Sequence, residues 1–380
     1  MDLRDPVVLQ GLAATGGAAL GVAALAWWLY LSPAREATLA VTTPLALARG
    51  LAITLGLAGL QMLVGGLWDA SQHIRTGRIV GGSDFLWPSH IVLYSSFLLS
   101  LAAAAVALGR MSGEARAAGL RGIRSTFRRR PLVGIVALAS AYELLALPGD
   151  ALWHEIFGID LTAWSPPHLT ISLMMGVVLV SAAWMLLDAH AHVRATRPLV
   201  AAVLLCGLAL NVLYLIAVLE WELPLQLRGL VAARPIWAYP VVSALVAFGV
   251  LALARELVPA RWAATGAALA FIGIRLAITF ALAATDNVAP LVPLLPLLGG
   301  VALDVTASRG PLTRALAFTV GYFALALPQL LLRTDLPPLT AADHATAVVA
   351  AFVTVLVILG LRERVKLAIP TRTATRASEA

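Results

Sequence analysis

Residues 198–219 read PLVAAVLLCGLALNVLYLIAVL, twenty-two positions without a formal charge, bounded by Arg197 and Glu220. A helix rises 1.5 Å per residue, so about 20 apolar residues cross a hydrocarbon core of about 30 Å. Ten comparable runs surround this one, at 7–31, 46–69, 88–109, 131–152, 167–188, 236–254, 262–284, 289–306, 312–332 and 342–361. The eleven runs predict an all-α polytopic transmembrane bundle. Composition agrees: 60% of residues are hydrophobic, 12% are charged and the mean hydropathy is +0.89. A soluble domain carries about twice that charged share.

The basic residues order the runs. The segment 110–130 holds seven arginines, and the alternate segments 32–49, 189–197, 255–261, 307–314 and 362–380 hold 2, 2, 2, 2 and 5 basic residues. The intervening loops hold six together (Arg4, Arg75, Arg78, Arg228, Arg234 and Arg333), and Arg275 lies inside a run. Positive charge is retained on the cytoplasmic side, so this alternation predicts the N-terminus outside and the C-terminus inside. The expected location is a bacterial plasma membrane. Two acids against one base in Met1–Pro6 make a poor signal-peptide start, so the first run is expected to stay in the protein.

The same inventory excludes other classes. The arginines sit in short loops without interleaved aromatics, which speaks against nucleic-acid binding. Cys206, the single cysteine, lies within an apolar run, so neither a disulfide nor a CxxC metal cluster is available. A shift in composition divides the chain near residue 197. Residues 1–197 hold five runs and most histidines, residues 198–362 hold six runs with few polar landmarks, and 363–380 form a cytoplasmic tail.

The first region contains a repeated loop. One copy reads Asp69-Ala70-Ser71-Gln72-His73, then Asp84 and Trp87-Pro88-Ser89-His90. The other reads Asp150-Ala151-Leu152-Trp153-His154, then Asp160 and Trp164-Ser165-Pro166-Pro167-His168. Residues four apart share a helical face, which pairs Asp69 with His73 and Asp150 with His154. Ser165 is a suitable N-cap and Pro166 a suitable first helical residue, so His168 falls in the first turn of the next helix. Each hairpin can then gather two imidazoles and one carboxylate. Such a donor set with an open position suits copper, zinc or non-haem iron.

These residues resemble the C subunit of the particulate methane monooxygenase and ammonia monooxygenase family, over about residues 45–190. That subunit carries an Asp-Ala-Ser-Trp-His stretch, then an Asp and a Thr-Pro-Ser-His step. The resemblance implies that Asp69, His73 and His90 correspond to a first copper site. It implies that Asp150, His154 and His168 stand for the second, catalytic one, in which the family has Asn at the first position. It further implies oxidation of a small apolar substrate with O2, alongside other membrane subunits and a cupredoxin-bearing partner in an oligomer. The first loop differs from the family by the inserted Gly81-Gly82, and the six later runs have no counterpart in it.

Glu143 lies two turns before Asp150 on one face, as a carboxylate that orients a metal ligand, a proton relay or the partner of Arg275. Asp84 and Asp160 are further candidates for orienting the ligands by hydrogen bonds. Asp304 is expected at a solvated helix end, and His190-Ala191-His192 as a charged interfacial pair. Met175 follows His168 on the same face, where packing competes with a soft-ligand role. Two other functions fit the same residues. One is a metal or proton-coupled transporter or metal store, and the other a non-catalytic scaffold in the bilayer.

Overall fold

In the computed structural model, the structure describes Ala24 and residues 42–76, 87–111, 126–157, 165–190, 196–222, 237–331 and 339–368. Ten helices of ten residues or more are placed there: α1 (Leu45–Thr76), α2 (Pro88–Met111), α3 (Pro131–Phe157), α4 (Pro166–Ala189), α5 (Thr196–Glu222), α6 (Ala238–Leu257), α7 (Ala263–Ala283), α8 (Pro296–Val305), α9 (Pro311–Leu331) and α10 (Ala341–Ala368). No strand occurs among the described residues. Eight of these helices are long and apolar enough to cross a membrane. The expected run at 7–31 lies, apart from Ala24, outside the described residues.

Helices α1 to α4 close into an antiparallel four-helix unit, with α1 against α2 and α4, and α3 against the same two. Small residues set the approach. A Cβ on Gly65 of α1 would stand 2.8 Å from the Leu93 amide nitrogen of α2, so only glycine lets these backbones meet. The seam is closed one turn further down by Gln61, whose amide donates to Ser95. At the far end of α1, Arg49 donates to His190 Nε2 at 3.0 Å, while His190 Nδ1 lies 2.7 Å from the Leu186 carbonyl. Nδ1 must carry the hydrogen to serve that carbonyl, and Nε2 must be bare to accept from arginine. His190 is therefore buried and ties α4 to α1, while the second histidine of the expected interfacial pair lies outside the described residues.

Helix α5 carries the decisive run and packs on α1, α4, α6 and α7. A Cβ on Gly207 would come within 2.9 Å of three atoms of Ala267, Ala270 and Phe271, so α5 and α7 lie almost backbone to backbone. Two turns along, Arg275 of α7 is fully buried and donates from Nε to Asn211 Oδ1 at 3.1 Å. Asn211 in turn donates to the Phe271 carbonyl, and the guanidinium lies over the Phe271 ring. A polar patch beside it joins α5, α6 and α9 through the Tyr214 and Tyr322 hydroxyls and Ser243.

The expected helix at 289–306 is half helix. Residues 287–294 are non-helical and only Pro296–Val305 is helical, about 15 Å of rise against a core of about 30 Å. The segment still runs the length of α7, antiparallel to it. Thr279 donates to the Pro290 carbonyl near one end, and Gly300 lies against the Ala264 backbone near the other. Non-helical backbone at membrane depth must have its polar groups met by protein. Pro290, Pro293 and Pro296 ease that demand, because each lacks an amide hydrogen.

Asp304 fixes where this segment ends. Its carboxylate accepts from the Ala264 and Thr265 amides, at 3.3 and 2.8 Å, and from the Thr265 hydroxyl. Arg255 Nε stands 3.4 Å away. Asp304 is buried and caps the N-terminus of α7 from a neighbouring helix, in place of the solvated end expected. Replacing it with alanine strips donors at a helix start, an expected loss of about 1–2 kcal/mol. Thermal unfolding in detergent should show a lower midpoint for Asp304→Ala and a smaller drop for Asp304→Asn; an unchanged alanine variant would contradict this role.

Candidate metal centre

Helix α1 has 32 residues, about 48 Å of rise, so its end stands at or beyond the rim of the membrane core. That end carries Asp69 and, one turn on, residue 73. Helix α2 starts at Pro88 beside it, and the Gly65–Leu93 contact brings His90 against Asp69. His90 Nε2 lies 2.9 Å from Asp69 Oδ1. Ser89, fully buried, places its hydroxyl 3.0 Å from the same oxygen and 2.9 Å from Gln72 Oε1. The Ser89 hydroxyl thus donates toward both the Asp69 carboxylate and the Gln72 amide oxygen, a three-centre arrangement. The His90 ring stacks between Trp87 and Tyr94. Outside this group, a shallow cleft is lined by Gln72, Arg75, Trp87 and Pro88.

The second hairpin repeats the plan. Ser165 has extended backbone (φ −64°, ψ 150°), Pro166 opens the helix, and the serine side chain accepts from the His168 amide. That cap holds His168 in the first turn of α4, as the sequence predicts. Its Nε2 stands 3.5 Å from Asp150 Oδ1 of α3. The carboxylate side chain is 14% exposed and the imidazole 37%.

The two hairpins share one end of the four-helix unit. Tyr94 of α2 stacks on His90 and lies within electrostatic reach of both Asp150 and Asp69. Sequence reasoning missed it. The signal available was its position one turn after His90, on the same face, where a polar-tipped aromatic needs a partner.

Of the expected ligands, Asp69 and His90 are brought together, and so are Asp150 and His168. Residues 73 and 154 sit on α1 and α3, but their side chains lie outside the described residues, as do Asp84 and Asp160 altogether. Among the described residues no group of three His, Cys, Asp or Glu side chains stands ready to hold a metal ion. Met175 is fully buried in the apolar core, the packing role. Glu143 is also fully buried and bonds Ser100 of α2 at 3.0 Å, while Arg275, one of its alternative partners, donates to Asn211.

The donor chemistry separates the two pairs. Donors held at about 2.0–2.1 Å around a tetrahedral ion stand about 3.3 Å apart. Asp150 and His168 are near that spacing at 3.5 Å, longer than a good hydrogen bond between nitrogen and oxygen. Asp69 and His90, at 2.9 Å with Ser89 added, form a closed hydrogen-bonded group. Comparison with protein-family models, with curated proteins and with solved structures returns no match.

Double-mutant cycles read this difference directly. Asp69→Ala with His90→Ala should show a coupling of about 1–3 kcal/mol in unfolding stability. Asp150→Ala with His168→Ala should couple more weakly in metal-free protein. Equal couplings, or a stronger second pair, would contradict the distinction.

Proposed function

We propose that this chain is an integral membrane copper-binding protein whose metal centre is Asp150 and His168, completed by His154. The observation that carries the reading is the Asp150–His168 approach at 3.5 Å between separate helices at a bundle end. A carboxylate and an imidazole so spaced offer two of the three donors that an open site needs. Asp69, His90 and His73 form a second site of the same plan, more tightly self-bonded. The likeness to the C subunit of copper membrane monooxygenases supports copper over zinc or iron, and supports oxidation of a small apolar substrate with O2. The arginine asymmetry supports an extracytoplasmic position for both sites.

Each residue's contribution follows from its place. Ser165 fixes the direction of His168 by capping the helix that carries it. Ser89 and Gln72 hold Asp69 toward His90. Trp87 and Tyr94 flank the His90 ring and limit water around it. A bound copper ion would supply one-electron redox chemistry with a free position for a small ligand. Zinc and iron remain the other ions that these donors accept.

The test is metal content of the purified full chain after equilibration with copper, beside His168→Ala, His154→Ala and His90→Ala. The reading predicts stoichiometric copper in the wild type and affinity weakened roughly tenfold or more by His168→Ala or His154→Ala. His90→Ala should cost less. Copper at background in the wild type, or unchanged in the His168 and His154 variants, would overturn it.

A further inference from the structure

Helix α3 carries a carboxyl in the middle of its membrane span. Glu143 lies twelve residues after Pro131 and seven before Asp150, about 18 and 10 Å along the axis. It is fully buried, and its Oε1 has no hydrogen-bond partner among the described residues. The other oxygen, Oε2, lies 3.0 Å from the Ser100 hydroxyl, which lies 2.8 Å from the Ser140 hydroxyl. Ser100 and Ser140 are themselves fully buried.

Among the described residues, no opposite charge is paired with the group. The helices packed against α3 are chiefly α2 and α4. From α2 the neighbour is Ser100, with Tyr94 and His90 further toward the outer end. The ionisable residues of α4, His168 and Asp188, sit at its two ends. On α3 itself, Tyr142 is adjacent in sequence and Asp150 is two turns away. An ionised carboxylate held in apolar surroundings by one hydroxyl is costly, and such a group takes up a proton instead.

Hydrogen counting gives two arrangements of the same three side chains. With a proton on Oε2, the acid donates to Ser100 and Ser100 donates to Ser140. Without it, Ser100 turns its single hydrogen to Oε2 and Ser140 turns its own to Ser100. The distances serve both directions equally. Pro148 adds a further feature, because it deprives the Leu144 carbonyl of its usual helical donor one residue beyond Glu143.

We propose that Glu143, with Ser100 and Ser140, is an intramembrane proton-binding site that exchanges its proton with water. On loading, one O–H bond forms at a Glu143 carboxylate oxygen with a proton supplied by water, and the two hydroxyls reverse; release is the opposite step. No electrons move. The proposal stands without any metal in the protein.

The experiment uses the full chain in liposomes, treated with dicyclohexylcarbodiimide, which reacts with a protonated carboxyl in apolar surroundings. Peptide mass spectrometry locates the adduct, and infrared difference spectra against Glu143→Gln follow the carbonyl band of the neutral acid. Expected are an adduct on Glu143 that is absent in Glu143→Gln, and a carbonyl band that shifts in D2O and fades at alkaline pH. Glu143→Asp and Ser100→Ala should keep the band and move the pH at which it fades, which guards against loss of Glu143→Gln to misfolding. A band absent at every pH, or one indifferent to pH and D2O, would overturn the proposal. So would protection of Glu143 by sodium at fixed pH, which would assign the site to a metal cation.

Discussion

Polar groups inside a bilayer have no water to turn to, and this fold depends on how protein meets them. Helices satisfy the backbone of the long runs. Side chains from other helices meet several of the remaining groups. Asp304 meets the free amides at the start of α7, and Thr279 meets a carbonyl in the extended stretch beside it. Arg275 is held by Asn211 of α5, at the point where Gly207 lets the two helices come closest. His190 and Arg49 close the opposite end of α1 in the same manner. Polar contacts therefore tie together helices whose apolar surfaces would pack on lipid as readily as on each other.

That constraint also explains which features could be read from the chain. Run length and charge alternation are one-dimensional properties, so the long helices and their order were legible from residues such as those at 198–219. The cap at Ser165-Pro166 was legible too, because it depends on neighbours in sequence. The segment at 289–306 was not, since its apolar count ignores that prolines at 290, 293 and 296 disfavour a helix until the last of them. Asp304 was misjudged for a different reason. Its partners are forty residues away on another helix, and nothing local announces a carboxylate that caps a neighbour. The burial of His190 depends likewise on Arg49, 141 residues distant.

At the candidate site the legible part was the approach of Asp69 to His90 and of Asp150 to His168. An Asp near a helix end and a Ser or Pro step into a His at the next helix start carry enough local geometry to bring the two together. What could not be read was the relation between the hairpins. Tyr94 joins their fields only because α2 packs against both α1 and α3. The inequality of the two pairs was equally hidden, because the closure of the first depends on Ser89 and Gln72 and on the approach allowed by Gly65.

The proposed function puts both hairpins on the extracytoplasmic side. Single cysteines at Ser83, Ala163 and Ala118 test it in intact cells with a membrane-impermeant thiol reagent. The native Cys206 is buried and should stay silent. The account predicts labelling at positions 83 and 163, and labelling at 118 only after the cells are opened. Labelling of 118 in intact cells with 83 and 163 protected would contradict it.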